Sequence, residues 1–481
     1  MSPEPIRTDL KYWLLILPVA LLPGCARFQP EPVSPAANAV SLEARRLSDP
    51  GLEKLVRETL GENVGKQFPA VWDGQTLTLA AFYFHPSLEV ARAQWHLAEA
   101  GVKTAGGRPN PTLSVAPAFN SSTPANSISP WLVTATLDVP IETAGKRSKR
   151  ILEAEKMSES ARWNLVSMAW QVRSNLRGAL WQQSVAGKRA ELLRAQASIQ
   201  KQAVQLLQQR VDVGEASRPE LTLLQIASHK TQLALADAEQ KAAEARVRLA
   251  EAIGVSVAAL EGVKVSYEFA SAANDVASAE ARRTALQSRP DILGALADYA
   301  AAEADLRLQI AKQYPDIHLN PGYEFDQGDN KWSLGVTVEL PILNQNQGPI
   351  AEAEARRKLA AAKFTALQAQ VIGEIDRALE NLRVAQGQKQ SADELLAAAQ
   401  QQARSVEAQM QAGAADKLDI ANVQLELNNA AVTQLETGAQ FQQAELALES
   451  ALQRPDALMI AAITNPLEKQ ESPSPQPKPK K

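Results

Sequence analysis

The sequence predicts a mainly α-helical protein with a small β part, built from one unit written twice in which two strands feed a very long helix. Three observations predict it. First, laying Pro111 of GRPNPTLSV on Pro315 of KQYPDIHLN, about 200 residues later, brings the other landmarks into step. LDVPI, ending at Ile141, meets VELPI, ending at Ile342; VGEAS around Gly214 meets AGAAD around Gly413; HPSLEVARAQ from His85 meets RPDILGALAD from Arg289. Second, each copy holds a proline-free helical stretch of about 65 residues, a rod on the order of 100 Å. Third, each copy holds a pair of strand-length segments that alternate in polarity.

The chain begins with an export signal. Arg7 and Lys11 precede an apolar run from Tyr12 to Leu22, too short to span a bilayer. The run meets Leu22-Pro23-Gly24-Cys25, a pattern similar to a bacterial lipobox, which makes residues 1–24 a lipoprotein signal peptide and Cys25, the single cysteine, the acylated residue. A free thiol behind an ordinary signal peptide is the alternative. Residue 26 is Ala rather than the Asp that marks retention in the inner membrane, so a lipidated chain is bound for the outer membrane. With one cysteine there are no intrachain disulfides to consider.

Residues 25–40, with QPEPVSPAANA from Gln29 to Ala39, read as an extended tether. Residues 41–84 are mixed and weakly helical. The first repeat, 85–254, opens with a helix of about 20 residues after His85-Pro86, continues with strands Thr112–Phe119 and Trp131–Ile141, and then a helix from Lys146 to Val211. Gly214 ends that helix; Ser217 and Pro219 start a return helix that runs to Ile253. A less regular stretch, 255–285, separates the copies. The second repeat, 286–455, has the same parts: a short helix from Pro290, strands Ile317–Phe325 and Trp332–Ile342, a long helix Pro349–Gln411 broken at Gly413, and a return helix from Asp416 to Leu452. Residues 456–481 end in ESPSPQPKPKK, which lacks apolar residues and reads as disordered.

The return helix and the short helix of each copy together nearly match one long helix in rise. Stacked end to end and antiparallel to the long helix, they would make a rod of even thickness from whose middle the 255–285 segment bulges. The long helices carry a thin stripe of small residues (Ala154, Ala161, Ala169, Ala179, Ala186, Ala190, Ala197), which suits close lateral packing around a wet lumen better than a coiled coil with large residues at heptad spacing. In the strands, Leu132, Thr134, Thr136 and Asp138 interleave with Val133, Ala135, Leu137 and Val139; Leu334, Val336, Val338 and Leu340 interleave with Ser333, Gly335, Thr337 and Glu339. Such alternation suits a membrane barrel, with Trp131 and Trp332 at equivalent strand starts. Four strands cannot close, and open edges are not tolerated in lipid, so the chain must oligomerise; three protomers supply twelve strands.

These residues resemble the TolC-like outer-membrane factors, the outer membrane efflux protein family of tripartite export systems, over roughly residues 75 to 455. The resemblance implies a homotrimer with a twelve-stranded outer-membrane barrel, a periplasmic α-helical barrel and an equatorial domain. LDVPIETAGKRSKR and VELPILNQNQGPIAEAEA are similar to the cation-efflux (cobalt-zinc-cadmium, CzcC-like) branch, with Gln345 where Arg is usual. The implied function is a passive exit channel for heavy-metal cations, fed by an inner-membrane RND-type pump through a periplasmic adaptor (membrane fusion) protein. Drug efflux or type I secretion is the alternative, and a pore-free structural lipoprotein a further one that the strands argue against.

Several site residues follow. Lys146, Arg147, Lys149 and Arg150 put four cations at a helix start, where the dipole disfavours them, and outer-membrane lipid phosphate is the expected partner beside the alternative of a solvated face. Val213, Gly214, Glu215, Ala216 and Ser217, with Ala412, Gly413, Ala414, Ala415 and Asp416, form two equivalent tips that the resemblance assigns to adaptor docking. Glu220 and Asp419, six residues past each tip glycine, are placed by the resemblance at the pore entrance, although for Glu220 a favourable helix-start charge is the simpler reading. The 4 histidines (His85, His96, His229, His318) and 5 methionines are dispersed, no catalytic set or metal-ligand spacing is visible, and no cofactor is expected. A net charge of −4 with scattered charges leaves no nucleic-acid footprint.

Overall fold

The protein was analysed as a computed structural model, which describes residues 28–61, 71–122, 129–267, 279–455 and 457–464. It divides into two compact units, residues 1–44 and 45–481. In the first unit, helix α1 (Pro35–Glu43) is capped by the Ser34 hydroxyl, has proline in its first turn and buries none of its side chains. The expected tether over 29–39 is therefore helical in its second half. A Ser cap followed by proline and alanines is a helix start, and the local cap outweighs the proline count. Cys25, the signal segment and the tail after 464 lie outside the described residues.

The second unit holds α2 (Pro50–Leu60), α3 (Gly74–Phe84), α4 (Pro86–Ala105), β1 (Thr112–Phe119), β2 (Trp131–Ile141), α5 (Lys146–Asp212) and α6 (Arg218–Ile253). After a short 3₁₀ turn, Val257–Leu260, come α7 (Ala279–Ser288), α8 (Pro290–Ala311), β3 (Ile317–Asp326), β4 (Asp329–Val338), α9 (Gln347–Gln411), α10 (Lys417–Leu452) and α11 (Ala457–Thr464). The segment expected to be weakly helical holds two well-capped helices: Asp49 caps α2, and Asp73 with Thr76 forms a capping box on α3.

The two long helices, of 67 and 65 residues, set the architecture. α4 and α6 pack along one flank of α5, while α8 and α10 fill the space between α5 and α9. Each short helix thus stacks end to end with a return helix, as the lengths require. The seams between stacked helices are closed by arginine. In the second copy, Arg289, only 3% exposed, donates to the Ala451 carbonyl at 2.5 Å and pairs with Asp291 and Glu374. In the first copy His85 stands at the equivalent position, and Arg45 arrives from outside the repeat to donate to the carbonyls of Phe84 and Gly254 at 2.6 and 3.0 Å. Both arginines serve the exposed carbonyl end of a helix, where a cation is favoured.

The largest core gathers segments far apart in sequence. Leu52 and Val56 of α2, Leu77 and Phe82 of α3, Leu165, Leu176 and Leu180 of α5, Leu249 and Ile253 of α6, and Ile463 of α11 bury together. The α5 stripe is therefore not alanine alone: of the seven alanines expected there, Ala169, Ala179 and Ala190 are buried, and large Leu residues join them where the core thickens. Away from it, α9 buries Val371, Ala378, Ala385, Ala392 and Ala399, one residue in seven. The heptad is thus present with small residues in it, so the helices approach closely and keep a left-handed seam.

The strands pair antiparallel in the order β1-β2-β3-β4. β1 and β2 end where the sequence analysis put them. β4 does not: it runs Asp329–Val338 rather than Trp332–Ile342. A two-residue turn at Gln327-Gly328, both with positive φ, starts the strand early, and Glu339 to Ile342 lie beyond the β3 ladder.

Gly254 closes α6 in the left-handed region at φ 86°, and a Cβ there would sit 2.9 Å from both the Phe84 oxygen and His85 Cα. Gly214 is also left-handed, at φ 81°, but faces open space. Gly214→Ala should cost about 1–2 kcal/mol, and Gly254→Ala several times more. Thermal melting by circular dichroism checks this: the Gly254 variant should melt far below the Gly214 variant.

Candidate functional site

The register decides which strand residues share a face. Leu113↔Leu137, Val115↔Ala135 and Phe119↔Trp131 lie on one face, and β3 continues it with Ile141↔Ile317, Val139↔Leu319 and Val133↔Phe325. β4 extends it through Leu319↔Val336, Pro321↔Leu334 and Tyr323↔Trp332. That face is apolar across the sheet except at Asn330. The other face carries Thr112, Ser114, Thr134, Thr136, Asp138, His318, Asn320, Glu324, Lys331 and Thr337. His318 Nδ1 lies 2.9 Å from the Asp138 carboxylate, Asn320 donates to Thr337 at 2.8 Å, and Lys331 donates to Asp326 at 2.5 Å. Two cross-strand aromatic pairs, Phe119–Trp131 and Tyr323–Trp332, with ring centroids 5.2 and 4.9 Å apart, mark the end of the sheet remote from the helices. The sheet is a wall with one oily side and one wet side, long enough for a bilayer.

At the other end the strands meet the helices, and the basic cluster is paired within the chain. Lys146 is buried and its Nζ lies 2.8 Å from Asp316. Arg147 donates to the Gly106 carbonyl at 2.8 Å. Lys149 donates to Ala144 at 2.7 Å, and Arg150 joins Glu142 at 2.7 Å while donating to the carbonyls of Ala105 and Gly107 at 2.8 and 2.9 Å. The compensation expected from lipid phosphate comes from the protein itself. The carbonyl end of α4 meets the cationic start of α5, and two carboxylates complete the balance. Hydrogen bonding from Arg150 to Glu142 also raises the Arg150 pKa, while burial opposes it. A cavity of about 550 Å³ adjoins this junction, lined by Thr104, Arg108, Glu142, Arg150, Asp316 and His318.

Both tips have the expected left-handed glycines, with φ 81° at Gly214 and 76° at Gly413. Val213, Glu215 and Ser217 at one tip, and Ala412 and Ala414 at the other, are exposed, while Ala216 and Ala415 are half-buried. Ser217 and Glu220 form a capping box on α6; Asp416 and Asp419 form the same box on α10. The Asp419 carboxylate accepts from Asp416 N at 2.9 Å, as Glu220 accepts from Ser217 N at 3.2 Å. The distinction drawn between Glu220 and Asp419 therefore falls: both are helix-start carboxylates. The sequence reading missed Arg210, which ends α5 and pairs with Asp416, tying one hairpin tip to the other. That guanidinium, then the Asp419 backbone N–H, hold the Asp416 carboxyl below the usual aspartate range. A depressed carboxyl pKa stabilises the folded form above the ordinary value and loses that contribution only as pH falls through the lower one, so the tie should survive at about pH 5. Nothing in the sequence spacing joins residues 210 and 416; only the fold does.

Among the described residues no cluster of three or more His, Cys, Asp or Glu side chains could hold a metal ion, and no helix is long and apolar enough to cross a membrane. The profile of the family described as Outer membrane efflux protein matches residues 83–255 and 281–453. The chain belongs to this family. It is 25% identical, over 377 residues covering 76% of this chain and 87% of the relative, to the cobalt-zinc-cadmium resistance protein CzcC of Cupriavidus metallidurans. Its fold is similar to that of CusC (TM-score 0.64, 18% identity, covering 79% of this chain and 92% of that one). It is also similar to the outer membrane protein VceC of Vibrio cholerae (TM-score 0.64, 19% identity, 79% and 95% covered).

An outer membrane efflux protein is a channel, and the one-sided sheet and paired long helices are the parts such a channel needs. The basic junction joins them. Arg150→Lys keeps the charge but loses the fork that reaches Glu142 and two carbonyls at once. It should lower stability by about 2 kcal/mol, seen as earlier heat dissociation of the detergent-extracted protein. Unchanged heat resistance would mean that the junction does not hold strands to helices.

Proposed function

We propose that three copies of this efflux protein form the exit duct of a tripartite pump that carries heavy-metal cations, anchored in the outer membrane by acylated Cys25. The observation that carries the duct is the sheet: an apolar face, a polar face and two unpaired edges, continuous with helices about 100 Å long. A pore-free scaffold has no use for such a wall. The cation cargo rests on the likeness to the cobalt-zinc-cadmium resistance protein. The small, exposed tips support docking of a periplasmic adaptor, itself coupled to an RND-type inner-membrane pump. The carboxylates of Glu220, Asp416 and Asp419, repeated threefold, would make the entrance negative.

The test is complementation. Expressed with a metal-type pump and adaptor in cells lacking their own channel, the protein should restore growth in cobalt, zinc and cadmium and lower cell-associated metal. Restored drug tolerance without metal tolerance would move the cargo to the drug-efflux class. Gly413→Val should leave an assembled trimer but abolish resistance, because it strains a left-handed turn and adds bulk at the contact; wild-type resistance would remove the tip from the docking surface. In planar bilayers under a salt gradient, Asp419→Asn and Glu220→Gln should each move the reversal potential towards lower cation preference by similar amounts. Unchanged potentials would place the constriction elsewhere. Fatty-acid labelling that is absent from the wild type, rather than lost with Cys25→Ser, would exclude the lipid anchor.

A further inference from the structure

The seam of the second copy holds a polar cavity that the channel reading does not use. Where α8 begins and α10 ends, α5 and α9 stand on either side, and together they line a space of about 550 Å³. That is within the range of small-molecule sites. Its walls include Trp170 and Ser174 of α5, Glu374 and Arg377 of α9, and Arg289 and Gln453 from the two seam ends. Two of these side chains are incomplete. Trp170 is only 3% exposed, and its indole Nε1, a donor, has no hydrogen-bond partner; the Gln453 side-chain oxygen, an acceptor, is buried without one as well. Among the described residues 5 side-chain atoms are so placed, and two of them belong to this one cavity. Buried polar groups are hydrogen-bonded as a rule, so an open donor and an open acceptor at the same place call for an occupant. The indole is also held ready: the Arg173 guanidinium stacks over its ring at 4.7 Å and pairs with Glu449 at 2.7 Å.

The charges around the cavity fall into two halves. Arg289 commits four of its five N–H groups: to the two oxygens of Asp291 at 3.0 and 2.6 Å, to Glu374 at 3.1 Å and to the Ala451 carbonyl at 2.5 Å. One cation against two carboxylates leaves that half with a carboxylate in excess. Arg377 lies three residues after Glu374, about 5–6 Å along the same helix face, a spacing at which the two would ordinarily pair. Glu374 is instead drawn to Arg289 and to the Gln370 amide, which donates to it at 2.8 Å. Arg377 is left exposed at the cavity, with no ion pair or hydrogen bond among the described residues. The cavity therefore sets an uncommitted cation beside an excess carboxylate. It is neutral as a whole and strongly dipolar.

We propose that this cavity binds a small zwitterion of the α-amino-acid type. The ligand carboxylate accepts from the Arg377 fork and from the Trp170 indole N–H, and the ligand ammonium donates to the Gln453 oxygen and to the remaining lone pairs of Glu374. A simple anion gains Arg377 but meets the excess carboxylate, and a simple cation meets Arg377. A molecule carrying both charges a few ångströms apart satisfies each half at once. Because such a ligand touches α5, α9 and both seam ends, it ties four segments together and stabilises the folded chain by linkage.

Equilibrium dialysis of the full-length, detergent-extracted protein against radiolabelled alanine tests the proposal, with heat dissociation as a second readout. Alanine should bind saturably at one per chain and raise the dissociation temperature. Acetate and methylamine, each carrying one of the two charges, should compete at least tenfold less well. Arg377→Gln, at an exposed position, should assemble as the wild type does yet weaken alanine binding at least tenfold. Gln453→Asn should weaken it too: asparagine tolerates the left-handed backbone there, at φ 38°, but withdraws the oxygen. No saturable alanine binding up to about 10 mM overturns the proposal, as does unchanged binding in the Arg377 variant. Acetate binding as tightly as alanine would make the cavity an anion site and overturn the zwitterion reading.

Discussion

A backbone N–H or C=O in hydrocarbon has no water to turn to, and every such group must find a partner on another strand. This constraint governs the chain more than any side-chain interaction does. Four strands leave two unpaired edges, and the outer strands show it: β1 is exposed along its whole length, while β2 and β3 between their neighbours are half-buried. The oily face turns the same sheet outward, because Leu, Val and aromatic residues alternate with Thr, Ser, Asn and Asp in a register shared by all strands. One periodicity thus sets the side that meets lipid, the side that meets water and the need for further copies.

The helices solve a different problem, which is to make a long, stiff wall from thin material. Alanine at heptad positions of α9 lets neighbours approach closely but supplies little apolar area at each step. Stability is therefore gathered where the wall thickens, in the core that unites α2, α3, α5, α6 and α11. The seams between stacked helices are the weak points of such a wall, since each exposes a carbonyl end. Arg289 in one copy and Arg45 in the other close them, and Arg150 closes the carbonyl end of α4 in the same manner. One chemical device, a guanidinium on a helix C-terminus, recurs at three discontinuities.

These arginines also show where the two copies part. His85 occupies the position of Arg289, takes the part of cap for α4 through Nδ1, and its burial lowers its pKa. The seam charge it lacks is imported from residue 45. The two copies thus close equivalent seams with arginines from different places in the chain, one within the repeat and one preceding it.

The sequence by itself determined the duplication, the strand and helix spans within the two repeats to within a few residues, the left-handed glycines at the tips and the alternation that makes a membrane sheet. All of these are local or periodic properties, written in neighbours along the chain. It did not determine the partners of Lys146, Arg147 and Arg150, because a cation at a helix start looks unpaired until the carbonyl end of α4 is brought beside it. Nor could it show that Arg210 meets Asp416, that Asp419 and Glu220 play the same capping role, or that β4 gives up its last four expected residues. Tertiary structure decided those, since each depends on which segments the stacking of helices and the order of strands place side by side. Electrostatic compensation and strand ends are properties of neighbours in space, and the duplicated sequence names those neighbours only once its two halves are folded against each other.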